Sequence, residues 1–461
     1  MSHILRNIPS VTELLEKPPL QRITNSLHRN VVVQHVRGFL DQLRSQVQTA
    51  SDAIPIPGAS ELAERIAAWI LVEEIPTLRP VLNATGILLH TGLGRAPLAA
   101  EAIEAMGEIA AGYASVELDL ASGQRSQRMQ AVVPLLKELT GAESAAVVNN
   151  NAGATLLTLS AVAAEKEVIV SRGQLVEIGG SYRLPDVMQT SGARLKEIGT
   201  TNKTRLADYE NAIGPETGAL LQVHTSNYVI AGFSEATSLQ DLVALGAKHQ
   251  LPVIDDIGSG AMVDFQAFGI SDEPTVAGSI DCGADLVLFS GDKLLGGPQC
   301  GIIVGKQHWI EKITKHPLMR ALRVDKVTLA GLRATLQLYR DPDTACQRIP
   351  LLTLLSTPLA NLQQRAERLA PQLAECGAIA DVQVIADITY LGGGSVPTQA
   401  IETCCLSVSP ANGSVDALAT QLRGGNIAVV GRIHQDRLLL DLRSIMAAQD
   451  RQLLDAFAAL S

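Results

Sequence analysis

The sequence predicts an α/β protein whose large domain is built around a mainly parallel sheet. Apolar runs that lack polar alternation are separated by helix-forming segments, and such short continuous runs are typical of strands covered on both faces. These runs lie at residues 145–148, 167–170, 220–223, 251–254, 286–289 and 302–304. After about residue 340 the order becomes helix, strand, strand, helix, strand, strand, helix, which predicts a small α+β domain at the C-terminus.

Helix-breaking residues divide the chain into three predicted domains. The segment Asp-Ala-Ile-Pro-Ile-Pro-Gly at 52–58 follows a helical region and precedes a second helix at 61–74, which Pro76 and Pro80 end. We therefore predict a helical N-terminal region at 1–75, a large domain at 76–340 and a small domain at 341–461. Ligands of such α/β domains bind at the carboxyl ends of the strands.

Composition excludes several classes of protein. The chain has 461 residues, of which 46% are hydrophobic, and it contains no low-complexity tract. It shows neither a signal sequence nor a membrane-spanning run, so we expect a cytoplasmic protein with no membrane partner. The six cysteines lack paired metal-ligand spacing, which predicts no disulfide and no structural metal.

Positive charge is concentrated in the first fifty residues, which carry six Arg and Lys against three acids, while the whole chain has a formal charge of −10. Arg22, Arg29, Arg37 and Arg44 recur every seven or eight residues, which predicts one stripe on a helix. Such a stripe is either a solvated helical face or a local contact for nucleic acid, and its spacing alone favours the solvated face.

A single lysine occupies a tight turn after the strand at 286–289, in the segment Ser-Gly-Asp-Lys-Leu-Leu-Gly-Gly-Pro at 290–298. A lysine amine is a useful nucleophile when burial and neighbouring charges lower its pKa, and aldehyde cofactors such as pyridoxal phosphate exploit this chemistry. An exposed loop lysine is the alternative. The sequence thus makes Lys293 a candidate for covalent attachment of a cofactor.

Two other predicted strand ends supply groups that suit the same cofactor. Asn150, Asn151, Ala152 and Gly153 open a helix, where backbone N–H groups bind phosphate, and Ser290 offers a further hydrogen bond. Asparagine is also a common helix cap. After the strand at 251–254, either Asp255 or Asp256 can pair with a pyridine nitrogen or cap a turn, and we favour Asp256. Gln174 and Glu177 are candidates for stacking on the cofactor ring.

Three arginines suggest an anionic substrate. Arg95 lies in a glycine-rich segment, and Arg320 and Arg323 are three residues apart, which places both on one face if that segment is helical. Arginine forks suit a tetrahedral oxyanion, and structural salt bridges are the alternative.

The chain carries a phosphate-binding helix start at 150–153, then an acid, then Lys293. This order resembles that of the fold-type I, aspartate aminotransferase-like enzymes of pyridoxal phosphate. Specific motifs resemble the bacterial selenocysteine synthase family along almost the whole chain. They lie at residues 5–11, 83–97, 147–152, 171–181, 199–204, 223–228, 289–301 and 320–326. The chain departs from the family at Gly92, where many relatives have Asn, at Cys300, where Ala is usual, and in the run 124–128.

This resemblance implies a reaction and roles for the candidate residues. Lys293 is expected to hold the cofactor, Asp292 to be needed for activity, and Arg95, Arg320 and Arg323 to bind the phosphate of selenophosphate. The implied reaction is β-elimination of the serine hydroxyl of L-seryl-tRNA(Sec) to aminoacrylyl-tRNA, followed by addition of selenium.

The resemblance also implies partners. The N-terminal region is expected to hold the tRNA, and the subunits to form a homodecamer, a ring of five dimers. Two rivals are a related pyridoxal phosphate lyase or aldolase that acts on a free amino or sugar acid, and a non-catalytic tRNA-binding protein.

Overall fold

The computed structural model describes residues 8–49, 56–74, 76–179, 182–392 and 400–460. The chain divides into two compact units, Met1–Pro80 and Val81–Ser461. Most of the predicted joint at 52–58 lies outside the described residues, which resume at residue 56.

The first unit consists of helices that pack around a small apolar core. Val32, Val36 and Leu40 are buried at four-residue spacing on the long third helix, which gives it one apolar face. Its helices are α1 (Val11–Leu15), α2 (Pro18–Thr24), α3 (Arg29–Thr49) and α4 (Ala59–Glu73). The predicted single stripe is wrong for Arg22, which lies on α2, because Asn25 ends that helix before α3 begins. All four arginines of the predicted stripe are exposed.

The second unit contains two sheets and the helices that cover them. Its strands are β1 (Val81–Ala84), β2 (Ser144–Val148), β3 (Glu167–Ser171), β4 (Glu177–Ile178), β5 (Tyr182–Arg183), β6 (Arg194–Ile198), β7 (Thr217–Val223), β8 (Val253–Gly258), β9 (Leu286–Ser290), β10 (Gly301–Gly305), β11 (Ile379–Thr389), β12 (Ile401–Pro410), β13 (Ala428–His434) and β14 (Arg437–Asp441).

The helices of this unit alternate with those strands and follow them. They are α5 (Ala100–Ala110), α6 (Val133–Thr140), α7 (Asn151–Ala163), α8 (Leu184–Thr190), α9 (Leu206–Ala212), α10 (Leu239–His249), α11 (Val276–Asp281), α12 (Gln307–Lys315), α13 (Leu318–Ala321), α14 (Lys326–Leu338), α15 (Pro342–Arg348), α16 (Pro350–Ser356), α17 (Leu359–Ala374), α18 (Val415–Gly424) and α19 (Asp450–Ala458). Within the described ranges, no helix is both long and apolar enough to cross a membrane.

The larger sheet has the order β2-β10-β9-β8-β7-β3-β6. Adjacent strands pair in parallel from β9 through β8, β7 and β3 to β6, and β10 runs antiparallel to both β9 and β2. The predicted α/β class with a mainly parallel sheet is therefore confirmed. Sequence reasoning missed the edge strand β6, because its residues Arg-Leu-Lys-Glu-Ile form no continuous apolar run.

The predicted strand at 251–254 is wrong at both ends, since β8 begins at Val253 and continues to Gly258. Its main chain stays paired with β7 through both acids, where Asp255 lies opposite Gln222 and Asp256 opposite Val223. The two aspartates therefore lie inside a strand and point to opposite sides of the sheet.

The smaller sheet has the order β1-β13-β14-β12-β11. Its first strand comes from the start of the unit and pairs in parallel with β13, with Val81 opposite Ala428. The C-terminal sheet thus includes residues that precede the entire larger sheet in the sequence.

Candidate active site

The lysine turn is a closed loop between β9 and β10. The Gly291 N–H donates to the carbonyl of Cys300, and the Gly297 N–H donates to that of Gly291. A Cβ atom at Gly291 would lie 2.5 Å from the sulfur of Cys300, so this close approach requires glycine. The turn holds Lys293 with only 4% of its surface exposed.

The surroundings of Lys293 favour its neutral, nucleophilic form. Burial lowers the pKa of its amine, and the positive charge of Arg95 lowers it further. The negative charges of Asp256, Asp292 and Glu273 act in the opposite direction without reversing the shift. These surroundings suit the covalent attachment of a cofactor to Lys293, which stays a prediction.

Asp256 lies in the same pocket and is buried. Its carboxylate accepts hydrogen bonds from the Asn151 amide at 2.8 Å and from the Thr155 hydroxyl at 2.9 Å. Burial raises its pKa, whereas these two donors and the charge of Lys293 lower it. The carboxylate is therefore oriented by two donors and faces the lysine.

Asp255 points away from this pocket, as strand alternation requires. Burial raises its pKa from 3.8 to about 6, and a hydrogen bond with Ser279 opposes that rise. Of the two acids that the sequence left open, the geometry favours Asp256 as the partner of a cofactor in the pocket.

The N-terminus of α7 opens into the pocket, which Asn150, Asn151 and Ala152 line. Asn150 caps the helix, because its side-chain oxygen accepts the Gly153 N–H at 2.8 Å. Gly153 does not line the pocket. The side-chain oxygen of Asn151 is buried and has no hydrogen-bond partner among the described residues, so the pocket has an unsatisfied acceptor.

Arg95 reaches the pocket from a strained turn. It has φ 63°, a left-handed conformation that is uncommon for residues other than glycine. Its guanidinium lies 2.9 Å from the carboxylate of Asp292, and the Ala96 N–H donates to the carbonyl of Asp292. Both side chains line the pocket together with Lys293 and Ser290.

Arg320 and Arg323 do not line this pocket, and the expected shared helical face is wrong. Helix α13 ends at Ala321, because the carbonyl of Leu322 accepts the Asn149 N–H and Arg323 forms a β-bridge with Val148. The Arg323 side chain lies 3.5 Å from the carboxylate of Glu117.

Sequence reasoning missed several residues of the pocket, which has a volume of about 330 Å³. Tyr182 and His224 line it, as do the apolar side chains of Val176 and Ile178. Thr155 orients Asp256 from the second turn of α7. Val176, Ile178 and His224 belong to segments that resemble the family, but only the folded chain shows that they line this pocket.

The stacking candidates Gln174 and Glu177 do not line the pocket. The side chain of Gln174 accepts the Val223 N–H, and Glu177 pairs with Arg183 at 2.9 Å.

The residues present fit pyridoxal phosphate. Lys293 supplies a buried amine for the aldehyde, Asp256 supplies a carboxylate for a protonated ring nitrogen, and the α7 N-terminus supplies a positive dipole for the phosphate. The unsatisfied Asn151 oxygen leaves an acceptor in the pocket for a hydrogen-bond donor of a bound ligand.

A solved structure supports this fold assignment. D-glucosaminate-6-phosphate ammonia-lyase is 22% identical to this chain, with a TM-score of 0.59 over 83% of this chain and 96% of that one. The fold and the pocket define a fold-type I enzyme that depends on pyridoxal phosphate.

Sequence comparisons identify the family. The model of L-seryl-tRNA selenium transferase matches residues 81–446, and that of the selenocysteine synthase N terminus matches residues 5–44. The chain belongs to the L-seryl-tRNA selenium transferase family, and the expected resemblance is confirmed.

Close relatives match nearly end to end. The L-seryl-tRNA(Sec) selenium transferase of Carboxydothermus hydrogenoformans is 46% identical over 97% of this chain and 95% of the relative. That of Hyphomonas neptunium is 44% identical over 99% of each chain.

Proposed function

We propose that this enzyme converts the serine of L-seryl-tRNA(Sec) into selenocysteine with selenophosphate as the selenium donor. The observation that carries the proposal is the buried Lys293 facing Asp256 in one pocket, within a chain that matches this family along its length. Membership of the family supports the proposed substrate, and the residues of the pocket support the proposed chemistry.

Each residue of the pocket has a role that follows from its surroundings. When bound, pyridoxal phosphate stabilises the negative charge that develops beside the substrate amino group. Burial lowers the pKa of the Lys293 amine, and the neutral amine removes the proton from the α-carbon. Asp256 would hold a proton on the ring nitrogen, and the Ser290 hydroxyl with the main-chain N–H groups of Asn150, Asn151 and Ala152 would contact the phosphate.

Arg95 is the candidate contact for the selenium donor, since its guanidinium lines the pocket beside Lys293. Its ion pair with Asp292 fixes its direction, so Asp292 orients the donor through Arg95. We also propose Arg320 and Arg323 as contacts of the selenophosphate phosphate, as the family resemblance implies. The β-bridge of Arg323 with Val148, at the end of the strand that leads into α7, supports Arg323, although neither side chain lines the pocket.

The first unit is proposed to hold the tRNA. Its exposed arginines lie on α2 and α3, where they are available to phosphates, and the family model for the N terminus covers them. We also propose a cytoplasmic homo-oligomer, a homodecamer arranged as a ring of five dimers.

The test is formation of selenocysteinyl-tRNA by wild type and K293A, with selenophosphate and serine-charged selenocysteine tRNA. We expect K293A to lose about a thousandfold or more of the rate, because both attachment and proton transfer use this amine. K315A is the matched control, since Lys315 is exposed on α12 and outside the pocket.

Free serine and ordinary serine tRNA are the substrate controls. Product from the selenocysteine tRNA alone supports the proposal. A cofactor-loaded wild type that leaves this tRNA unchanged and acts on a free amino or sugar acid contradicts it and favours the lyase.

A further inference from the structure

Another buried acid, Glu273, lies behind the pocket and has no part in the roles above. It sits in the loop between the short 3-10 helix Phe265–Phe268 and α11, and 1% of its side chain is exposed. One carboxylate oxygen accepts a hydrogen bond from the hydroxyl of Ser259. Among the described residues, the other oxygen is buried without a hydrogen-bond partner. A buried carboxylate with a free oxygen is costly, so its presence calls for a reason.

His224 is the group that faces this free oxygen. Its Nε2 atom lies 3.5 Å from Oε2 of Glu273, slightly beyond a hydrogen bond. His224 directly follows β7, and its backbone N–H donates to the carbonyl of Asp256. The imidazole lines the pocket that contains Lys293. It therefore lies between the buried acid and whatever ligand the pocket holds.

The cluster is tied to the lysine turn. Ser259 is fully buried, and its carbonyl accepts the N–H of Leu294, the residue after Lys293. The backbone of Asp272 takes a left-handed conformation, φ 61°, directly before Glu273. A loop that only needed an anchor would have one in the Ser259 bond, which leaves the oxygen facing His224 unexplained.

We propose that Glu273 is a positioning residue that fixes the orientation of the His224 imidazole through its Nε2 atom. His224 would then contact bound pyridoxal phosphate through its other ring nitrogen. A carboxylate that accepts from one imidazole nitrogen favours a proton on the ring and fixes its orientation.

Several other charged groups act on this pair and set the background for any pH effect. Asp256, Arg95, Asp292 and Lys293 line the pocket, and Asp255, which points away from it, interacts with His224 through its charge. The test therefore compares variants that leave all of these groups unchanged.

The experiment measures the dissociation constant of pyridoxal phosphate by absorbance, for wild type, E273Q, H224Q and the double variant. We expect each single variant to bind about tenfold more weakly, since each removes one partner of a charged hydrogen bond. The double variant should bind no more weakly than the weaker single variant, because the two residues act as one unit.

D272N is the matched control, because Asp272 is an exposed acid in the same loop and asparagine tolerates its left-handed backbone. We expect D272N to bind the cofactor like wild type. The absorbance of each loaded protein is also followed against pH. We expect the pH midpoint of this absorbance change to be about one pH unit lower in E273Q than in wild type. Loss of the negative charge of Glu273 destabilises protonated groups near it.

Two results would overturn the inference. One is an E273Q protein that matches D272N in both measurements. The other is a double variant whose weakening is the product of the two single effects. If E273Q fails to fold, the H224Q protein is the test, because this variant keeps the hydrogen bond between Ser259 and Glu273. Wild-type affinity of H224Q for pyridoxal phosphate would refute the proposal.

The inference rests on the proposed function only in that the pocket binds pyridoxal phosphate. Cofactor binding is measured without tRNA, so failure of this inference can be distinguished from failure of the proposed function. A protein with the expected binding pattern but no turnover of seryl-tRNA contradicts the reaction alone, and one with normal turnover but unchanged E273Q affinity contradicts this inference alone.

Discussion

The pocket and the N-terminal unit use charge in opposite ways. In the pocket, Lys293, Asp256 and Asp292 are each less than a tenth exposed, and named partners fix their positions. In the first unit, the arginines of α2 and α3 are exposed, and Arg44 pairs with Asp41 within its own helix. Buried charges are therefore individually essential, whereas exposed charges act by number and respond to salt.

The largest expected effect separates the two regions outright. Removal of residues 1–80 takes away one compact unit and leaves the second unit intact. We expect turnover of charged selenocysteine tRNA to fall on the order of a thousandfold, because the phosphate contacts are lost. Bound pyridoxal phosphate, measured by absorbance, should be retained. Undiminished tRNA turnover by residues 81–461 would show that the first unit does not hold the substrate.

A comparison of two adjacent acids sharpens the claim for the pocket. We expect D256N to lose about a hundredfold of turnover, because a neutral amide cannot hold the ring-nitrogen proton. D255N is the isosteric control, one residue along the same strand but facing away from the pocket, and should retain cofactor and rate. Steady-state rates on the charged tRNA decide between them, and equal losses in both variants would contradict the assignment.

The effect of Arg95 on the lysine predicts a shift with pH. The charge of Arg95 lowers the pKa of Lys293, so R95Q raises it, and less amine is neutral at a given pH. The midpoint for loading of pyridoxal phosphate should therefore move to higher pH by about one unit. Stopped-flow absorbance on the cofactor-free protein measures this midpoint. No shift, or a shift to lower pH, would contradict the assignment of this effect to the charge of Arg95.

The smallest effects belong to single exposed arginines. We expect R29Q or R37Q to weaken tRNA binding only about two- to threefold each and to reduce its dependence on salt. Filter binding at several salt concentrations measures both quantities. R44Q, whose native guanidinium is already paired, should have less effect than either. A single variant that abolishes binding would show that this unit, like the pocket, contains one decisive contact.

The parts of the fold and site that sequence reasoning reached are those with local signals. Six of the seven strands of the larger sheet, all except β6, appear as apolar runs. Lys293 and the α7 N-terminus follow strand ends, and Asp256 lies near the carboxyl end of β8, where ligands of this fold bind. The sequence left Asp255 and Asp256 as candidates for the ring-nitrogen partner and favoured Asp256. The alternation of side chains along β8 then directs only Asp256 into the pocket.

Other parts depend on tertiary contacts that no local pattern carries. Sequence spacing placed Arg320 and Arg323 on one helical face, but the main chain at 322–323 pairs with residues 148–149 and so ends the helix. Glu273 belongs to a loop that no motif marks, and only the folded chain brings it to His224.

The pairing of β1 with β13 has a consequence for how the enzyme is made. The segment that carries Arg95 is also bound to the C-terminal sheet, since the Leu88 and Leu89 N–H groups donate to the carbonyls of Tyr390 and Leu391. During synthesis, the lysine turn leaves the ribosome well before these partners exist. We therefore expect the arginine side of the pocket to close only after residues 390–391 and β13 have been synthesised, so that a shorter nascent chain lacks a finished catalytic centre.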